Sequence, residues 1–314
     1  MVLRAEQIRI GRKKETTFAE TPTAGAQTGW ADEILSGFDT LEDIDWKTLW
    51  VKGGDREAYQ MVELKHTVED SFDFAIQTGL WFAYALGKDI VSGAVNPFTH
   101  TITPLMTMPF PSQVMEVDYL DASNFSLYLK GLVVDSLHVT GGEADILSGT
   151  VNFKAHSAVK NAGALSTVAT DTTQPYKFSQ ATLTYFGSAL ARPVEWSFGV
   201  DNKGTMLNVH DAAIGLFPKE YIPHRVPYEL ETTVVPVDST YFDQLKVGAT
   251  NLAATLKYVR VAAPEDSLSV QFTNCVLKSA PYPVPEEGES RVKMTLVPRN
   301  LTVVVLNPQS TAYV

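Results

Sequence analysis

Five stretches of this 314-residue chain come back later in it, in the same order. "IDWKTLWVKGG" from Ile44 and "VEWSFGVDNKG" from Val194 share an apolar–acid–Trp start and a glycine-containing turn. "VELKHTV" from Val62 lies over "YELETTV" from Tyr228, with Glu, Leu, Thr and Val in step. Both run into an acid–serine step and aromatics, "EDSFDF" at Glu69 and "VDSTYFD" at Val237. "LVVDS" at Leu132 matches "CVLKS" at Cys275, and "GTVNF" follows the first at the spacing at which "VKMTL" follows the second. Repetition in a fixed order predicts one structural unit used twice.

Period identifies the elements of that unit. In "VELKHTV", Val62, Leu64, His66 and Val68 alternate with Glu63, Lys65 and Thr67; in "YELETTV", Glu229, Glu231 and Thr233 form the polar side. "SGTVNFKA" sets Val151, Phe153 and Ala155 against Thr150, Asn152 and Lys154, and "RVKMTL" sets Val292, Met294 and Leu296 against Arg291, Lys293 and Thr295. Strict alternation predicts antiparallel strands with one buried and one wet face. One helix per unit is expected between them. Asp70 or Ser71 would cap the first, Phe72, Ile76, Leu80 and Ala83 would form its stripe, and Gly87 would end it. Asp238 or Ser239 would cap a shorter one, ended by Gly248. The expected class is therefore mainly β, with two tandem modules over 30–160 and 177–314, each with a flanking α-helix. A small, polar linker covers 161–176.

Residues 1–29 are different in kind. "GRKKETTFAETPTA" from Gly11 is charged, then threonine-rich, then punctuated by Pro and Gly, with Phe18 as its one anchor. It reads as an assembly arm, carried by Lys13, Lys14, Glu15, Thr16, Thr17 and Phe18, that orders on a neighbouring copy.

Composition removes several function classes. A net charge of -11 argues against a nucleic-acid reader, which needs a basic stripe to neutralise phosphates. The single cysteine, Cys275, allows no intramolecular disulfide and no Cys-based zinc site, and in "SVQFTNCVL" it reads as a buried strand residue. "MVLRAEQIRIGRKK" has no apolar signal core, and "GLWFAYALG" is too short for a bilayer, which needs ~20 residues. The expectation is a soluble protein from a reducing compartment, with no membrane insertion.

Chemistry is not in evidence either. His66, His100, His138, His156, His210 and His224 are scattered without metal-ligand spacing, although strands would be able to bring His66 and His156 together. No nucleophile elbow, P-loop or dinucleotide fingerprint is present. "TGGE" at Thr140 lies between two strand patterns, so it reads as a hairpin turn and not a phosphate loop. The pairs Glu69/Asp70, Asp118/Asp121 and Glu286/Glu287 read as solvated charge, and Trp46, Trp50, Trp81 and Trp196 fall on patterns that core packing satisfies. Neither a catalytic role nor a cofactor or metal is expected.

"IGRKKETTFAETPTA", then "HTITP", "MPFPSQVMEVDY" and "LKGLVVDSLHVTGG", and finally "VEWSFGVDNKG", resemble the tail tube proteins of long-tailed bacteriophages. The resemblance runs from Ile8 to about Asn307; Ala19 and Ile102 stand where the family usually has glycine and an aromatic. It implies β-sandwich or barrel modules whose rings stack into a tube lined by a continuous β-barrel. A chain with two modules would form trimeric, pseudo-hexameric rings. The partners implied are further copies of itself and the tail terminator, tape-measure and tail-tip proteins. Viral DNA would pass through without specific binding, repelled by an acidic wall. Location would be the virion tail, after the host cytoplasm. Candidate tube-wall residues are Glu63, Lys65, Thr67, Glu229, Glu231, Thr233, Thr150, Asn152, Lys293 and Thr295, facing either the lumen or the outside. The competing reading is a sugar- or receptor-binding β-sandwich adhesin; a hydrolase on a β scaffold has no motif to support it.

Overall fold

The structure is a computed structural model that describes residues 8–29, 32–37, 43–49, 60–105, 107–119, 125–168, 173–190, 192–208, 217–224, 228–236, 240–248, 250–260, 266–281 and 290–314. The first half contains β1 (Ile8–Lys14), β2 (Ile34–Gly37), β3 (Asp43–Leu49), β4 (Gln60–Ala75), α1 (Leu80–Leu86), β5 (Gly87–Ser92) and β6 (Phe98–Pro104). It continues through β7 (Gln113–Tyr119), β8 (Phe125–Gly142), β9 (Ser148–Ala155) and β10 (Ser157–Lys160). The second half begins with β11 (Ala181–Tyr185), β12 (Ser188–Ala189), β13 (Pro193–Asp201), β14 (Thr205–Leu207), β15 (Glu220–Ile222) and β16 (Tyr228–Val234). Then come α2 (Thr240–Val247), β17 (Leu252–Val259), β18 (Ser267–Ser279), β19 (Val292–Val297) and β20 (Asn300–Asn307). The chain is mainly β, and its long ladders are antiparallel.

One run of strands goes β2–β4–β9–β8–β13–β16–β19–β18. A second goes β12–β11–β17–β18–β20–β6–β5, and a third β1–β7–β8–β10. The long strands β8 and β18 each belong to two runs, so each bends around the core. Across that core the Trp196 indole N–H donates to the Tyr258 hydroxyl at 2.7 Å, and Phe198 meets Phe272 edge-on at 5.2 Å. Such aromatic pairs add ~0.5–1.5 kcal/mol beyond simple burial. The expected alternation holds: Val151 and Phe153 are buried and Asn152 is exposed; Leu230 and Leu296 are buried and Glu229 is exposed.

Two sets of seven strands share one register. Adding 143 to the pairs Val133↔Lys154, Val134↔Phe153 and Ser136↔Asn152 gives the observed Val276↔Val297, Leu277↔Leu296 and Ser279↔Thr295, with the same bulged residue, Asp135 or Lys278. The same offset carries β8–β10 onto β18–β20, where Ser157↔Lys130 becomes Asn300↔Thr273. The β7–β8 ladder maps onto β17–β18, β2–β4 onto β13–β16 with bulges at Leu35 and Val194, and β1–β7 onto β11–β17. The helices fall at the same place in each set, and each ends on a left-handed glycine, Gly87 (φ +91°) or Gly248 (φ +64°).

Four expectations change. The segment from Asp70 is strand, not helix: β4 runs to Ala75 because β2 and β9 take its two edges, and the helix begins only at Leu80. Phe72, Phe74 and Ile76 satisfy a two-residue alternation as well as part of a helical stripe, so period alone does not decide them. The register correspondence is offset differently from the sequence match. Glu229, Glu231 and Thr233 correspond by register to Glu69, Ser71 and Asp73, six residues beyond Glu63, Lys65 and Thr67, and the counterpart of Val194 is Leu35, not Ile44. The sheets are open rather than closed into a barrel, since β2 and the end of β18 each pair on one side among the described residues. Finally, the arm is ordered on its own chain. β1 pairs along its length with β7, and Arg12 exchanges backbone hydrogen bonds with Gly29, so 26–29 folds back over β1.

Candidate functional site: the polar face of the long sheet

The run from β2 to β18 presents one broad polar surface. Rows of residues cross it from strand to strand: Asp73, Thr150, His138, Gly199 and Glu229 in one, Ser148, Thr140, Ser197, Glu231 and Thr295 in the next. Ser71, Asn152, Ser136 and Asp201 form a third. Alternation puts these side chains opposite the core-facing Phe72, Val151, Leu137 and Val200.

Three lysines on this face are held by acids. Lys293 Nζ lies 2.9 Å from Glu231, Lys278 Nζ 2.9 Å from Glu229, and Lys154 Nζ 3.1 Å from Asp135. The Lys293 ammonium is held above its ordinary pKa by the hydrogen bond and charge of Glu231. Other acids are held by hydroxyls instead. Asp73 accepts from Thr150 Oγ1 at 2.6 Å and Ser36 Oγ at 2.7 Å, which keep its carboxyl below the usual range. Glu195 accepts from Thr233 Oγ1 at 2.9 Å. Hydroxyl donors order a carboxylate without cancelling its charge, so the face remains acidic while its side chains are tied down.

The residues singled out from sequence divide accordingly. Thr150, Asn152, Glu229, Glu231, Thr233, Lys293 and Thr295 come together on this face. Thr233 and Thr295 are mostly covered by their neighbours. Glu63, Lys65 and Thr67 lie on the part of β4 that pairs with β3, opposite Trp46, Asp45 and Asp43. Ser36, Ser71, Asp73, Ser136, His138 and Glu195 were missed. The alternation of Glu69, Ser71 and Asp73 against Phe72 and Phe74 carried the signal, and the helix reading of that segment hid it.

The arm residues divide too. Lys13 and Lys14 are exposed, with Lys13 Nζ 3.5 Å from Glu20. Glu15 is buried: it accepts from the Gly131 amide at 2.8 Å, the Ser112 hydroxyl at 2.5 Å and the Ala19 amide at 3.1 Å. Burial raises its pKa despite those bonds. Phe18 packs edge-on against His156, and burial together with nearby Lys130 lowers that imidazole's pKa to about 4. His66 and His156 do meet one partner, the Phe217 ring, at 4.6 and 5.2 Å. The three rings pack together, His156 stacked on Phe217 and His66 tilted against it, and among the described residues no group of three metal-ligating side chains occurs.

A groove of ≈ 870 Å³ beside Leu105, Met108, Phe110, Tyr228 and Leu301 contributes His224 and Arg299, with no carboxylate among its described lining. The broad face, not a pocket, is the feature that the alternating strands build. A family model described as phage tail tube protein matches residues 5–291. The chain belongs to the phage tail tube protein family. Comparison with curated proteins finds no match. As a tail tube family member it is a structural protein of the virion tail. No described helix is long and apolar enough to cross a membrane.

Proposed function

We propose that this tail tube protein carries a duplicated module and assembles as trimeric, pseudo-hexameric rings that stack into a conduit for viral DNA. The supporting observation is the arrangement β2–β4–β9–β8–β13–β16–β19–β18, in which two four-stranded blocks with one register lie edge to edge. If that step is repeated, three chains of eight strands would close a barrel of about 24 strands, on the order of 45–50 Å between backbones. That is wide enough for a DNA duplex. Closure would also remove the open edges that a lone chain leaves to aggregation.

The polar face is then the lumen wall. An acidic wall repels phosphates within a Debye length, ~8 Å at physiological salt, and its lysines are engaged by Glu229, Glu231 and Asp135. Duplex passing through meets these three lysines already paired. The mechanism is assembly and low-adhesion transport, with no catalytic step and no cofactor. Tail terminator, tape-measure and tail-tip proteins are the partners beyond the ring, and the protein waits in the host cytoplasm before assembly.

The arm has a two-part role in this reading. Glu15 and Phe18 anchor it to its own module, while exposed Lys13, Lys14, Thr16 and Thr17 meet a neighbouring ring. Removing 1–25 would also remove β1 and bare the edge of β7, so charge reversal at Lys13 and Lys14 is the cleaner probe. The test of the whole reading is negative-stain electron microscopy over a concentration series. Hollow tubes or stacked rings with threefold averages are expected; solid discrete particles throughout, under conditions that support tail assembly, would overturn it.

A further inference from the structure

Within the chain, the two four-stranded blocks meet at a defined seam between β8 and β13. Pairs run from Gly142↔Glu195 to Ser136↔Asp201. Glu143 N–H donates to the Val194 carbonyl at 3.0 Å, and Asn202 N–H to the Asp135 carbonyl at 2.8 Å. The Asn202 side-chain amide donates to the carbonyls of Val134, at 3.1 Å, and Ala85, at 2.9 Å, which ties β13 to the end of α1. At that end Leu86 is only 2% exposed.

The outer ends of the long sheet carry parts of this seam: among the described residues Ser279, at the end of β18, is the counterpart of the seam residue Ser136. The edge of β18 over Val276–Ser279 corresponds to that of β8 over Val133–Ser136, and β2 corresponds to the start of β13. Counting back from the cap glycines Gly87 and Gly248, the counterpart of Leu86 is Val247, which is 80% exposed. The counterpart of half-buried Val194 is Leu35, 50% exposed. Val247 and Leu35 are thus exposed apolar groups near the two free ends of the long sheet. The bulge residue also changes sign, from Asp135 to Lys278, while exposed Asp43 stands on the β2–β3 side.

We infer that the β18 edge of one copy takes the β2–β3 edge of a second copy in the register of the β8–β13 seam, so that Ser279 faces Asp43. The inference rests on the ring reading above and adds its joint. The pairing follows from counting: Asp43 faces Thr67 on β4, one residue before Val68, the counterpart of Tyr228, and Asp201 stands one residue after Val200, which faces Tyr228. Asp201 faces Ser136, whose counterpart is Ser279. Lys278 then meets the carboxylate of Asp43, and the new neighbour covers Val247 and Leu35. A head-to-tail joint of this kind closes into a ring when its rotation matches that of the internal seam.

The test is the double variant Ser279→Cys/Asp43→Cys, assembled, oxidised and run on a non-reducing gel, with electron microscopy of the same sample. Because Asn202 and Asp135 are a hydrogen-bonded pair, Asp201 and Ser136 form the close, non-hydrogen-bonded pair next to them, a spacing that a disulfide spans. Conversion of the monomer band to covalent trimer is expected, while an equal mixture of the two single variants stops at dimer. Ser279→Cys/Lys47→Cys, four residues or ~13 Å further along, should remain monomeric on the gel. Rings without cross-links, or cross-links equal to that control, overturn the joint and leave the tube reading standing. Absence of rings or tubes from unmodified protein overturns both.

Discussion

Gly131 and Asn274 hold corresponding places on β8 and β18, 143 residues apart (274 − 131), and both turn the backbone left-handed, at φ +59° and +55°. They lie beside the extra residues that let each long strand pass from one sheet run to the next. Their surroundings differ. A Cβ on Gly131 would come within 2.9 Å of the His156 Cβ and 3.0 Å of the Phe18 ring, whereas the exposed Asn274 side chain donates to Asn300 at 2.8 Å.

Substitution at the two sites should therefore diverge. Asn274→Gly should be tolerated within ~0.5 kcal/mol, because glycine adopts this conformation freely. Gly131→Ala should cost about 1–3 kcal/mol, from conformation plus displacement of Phe18. Urea unfolding of both variants checks the contrast; equal losses would overturn it.

Tyr258→Phe should destabilise by about 1–3 kcal/mol, since it strands the buried Trp196 N–H without an acceptor. Thermal unfolding would register this as a clear fall in Tm. An unchanged Tm would mean that the indole finds another partner.

Asp73 supplies a titration test. Its folded pKa lies below the ordinary 3.8, so its stabilising contribution is present above that value and is lost as the pH falls through the folded one. Thr150→Val removes the larger of its two hydroxyl donors. The carboxyl pKa, followed by carbon NMR, should move up toward 3.8; a static value would assign the depression to Ser36.

His100 works in the opposite direction. Its ring is buried, with Nδ1 2.8 Å from the Asp89 carboxylate and Nε2 2.9 Å from the Gln309 carbonyl. Both partners are acceptors, so the doubly protonated ring satisfies both. Burial is the largest influence and lowers the pKa, but Asp89 and Gln309 together raise it above 6.5. The stabilisation is thus full below 6.5 and lost as the pH rises through the folded value. Asp89 also accepts the Tyr313 amide at 2.9 Å, and the Tyr313 ring lies tilted against His100 at 4.6 Å. Amide exchange at 311–314, corrected for its intrinsic pH dependence, should quicken as His100 deprotonates. In His100→Gln that acceleration should vanish; its persistence would place the switch elsewhere.

The sequence by itself determined which way side chains point. Alternation marked Val151 and Phe153 as core and Thr150 and Asn152 as surface, and Gly87 and Gly248 marked where the helices stop. These are local properties, fixed within a few residues by backbone geometry. Tertiary structure decided the rest. It made Asp70–Ala75 strand because β2 and β9 offered hydrogen bonds on both edges, and it drew Ile8–Lys14 into a ladder with β7. It also set the register correspondence of the β4 segment six residues away from the best sequence match. An even shift leaves every side chain on the same face of a strand, so the alternation that reveals a strand is blind to it. Only partners distant in sequence, bulge matched to bulge and Asp73 set between Ser36 and Thr150, fix which residues stand side by side.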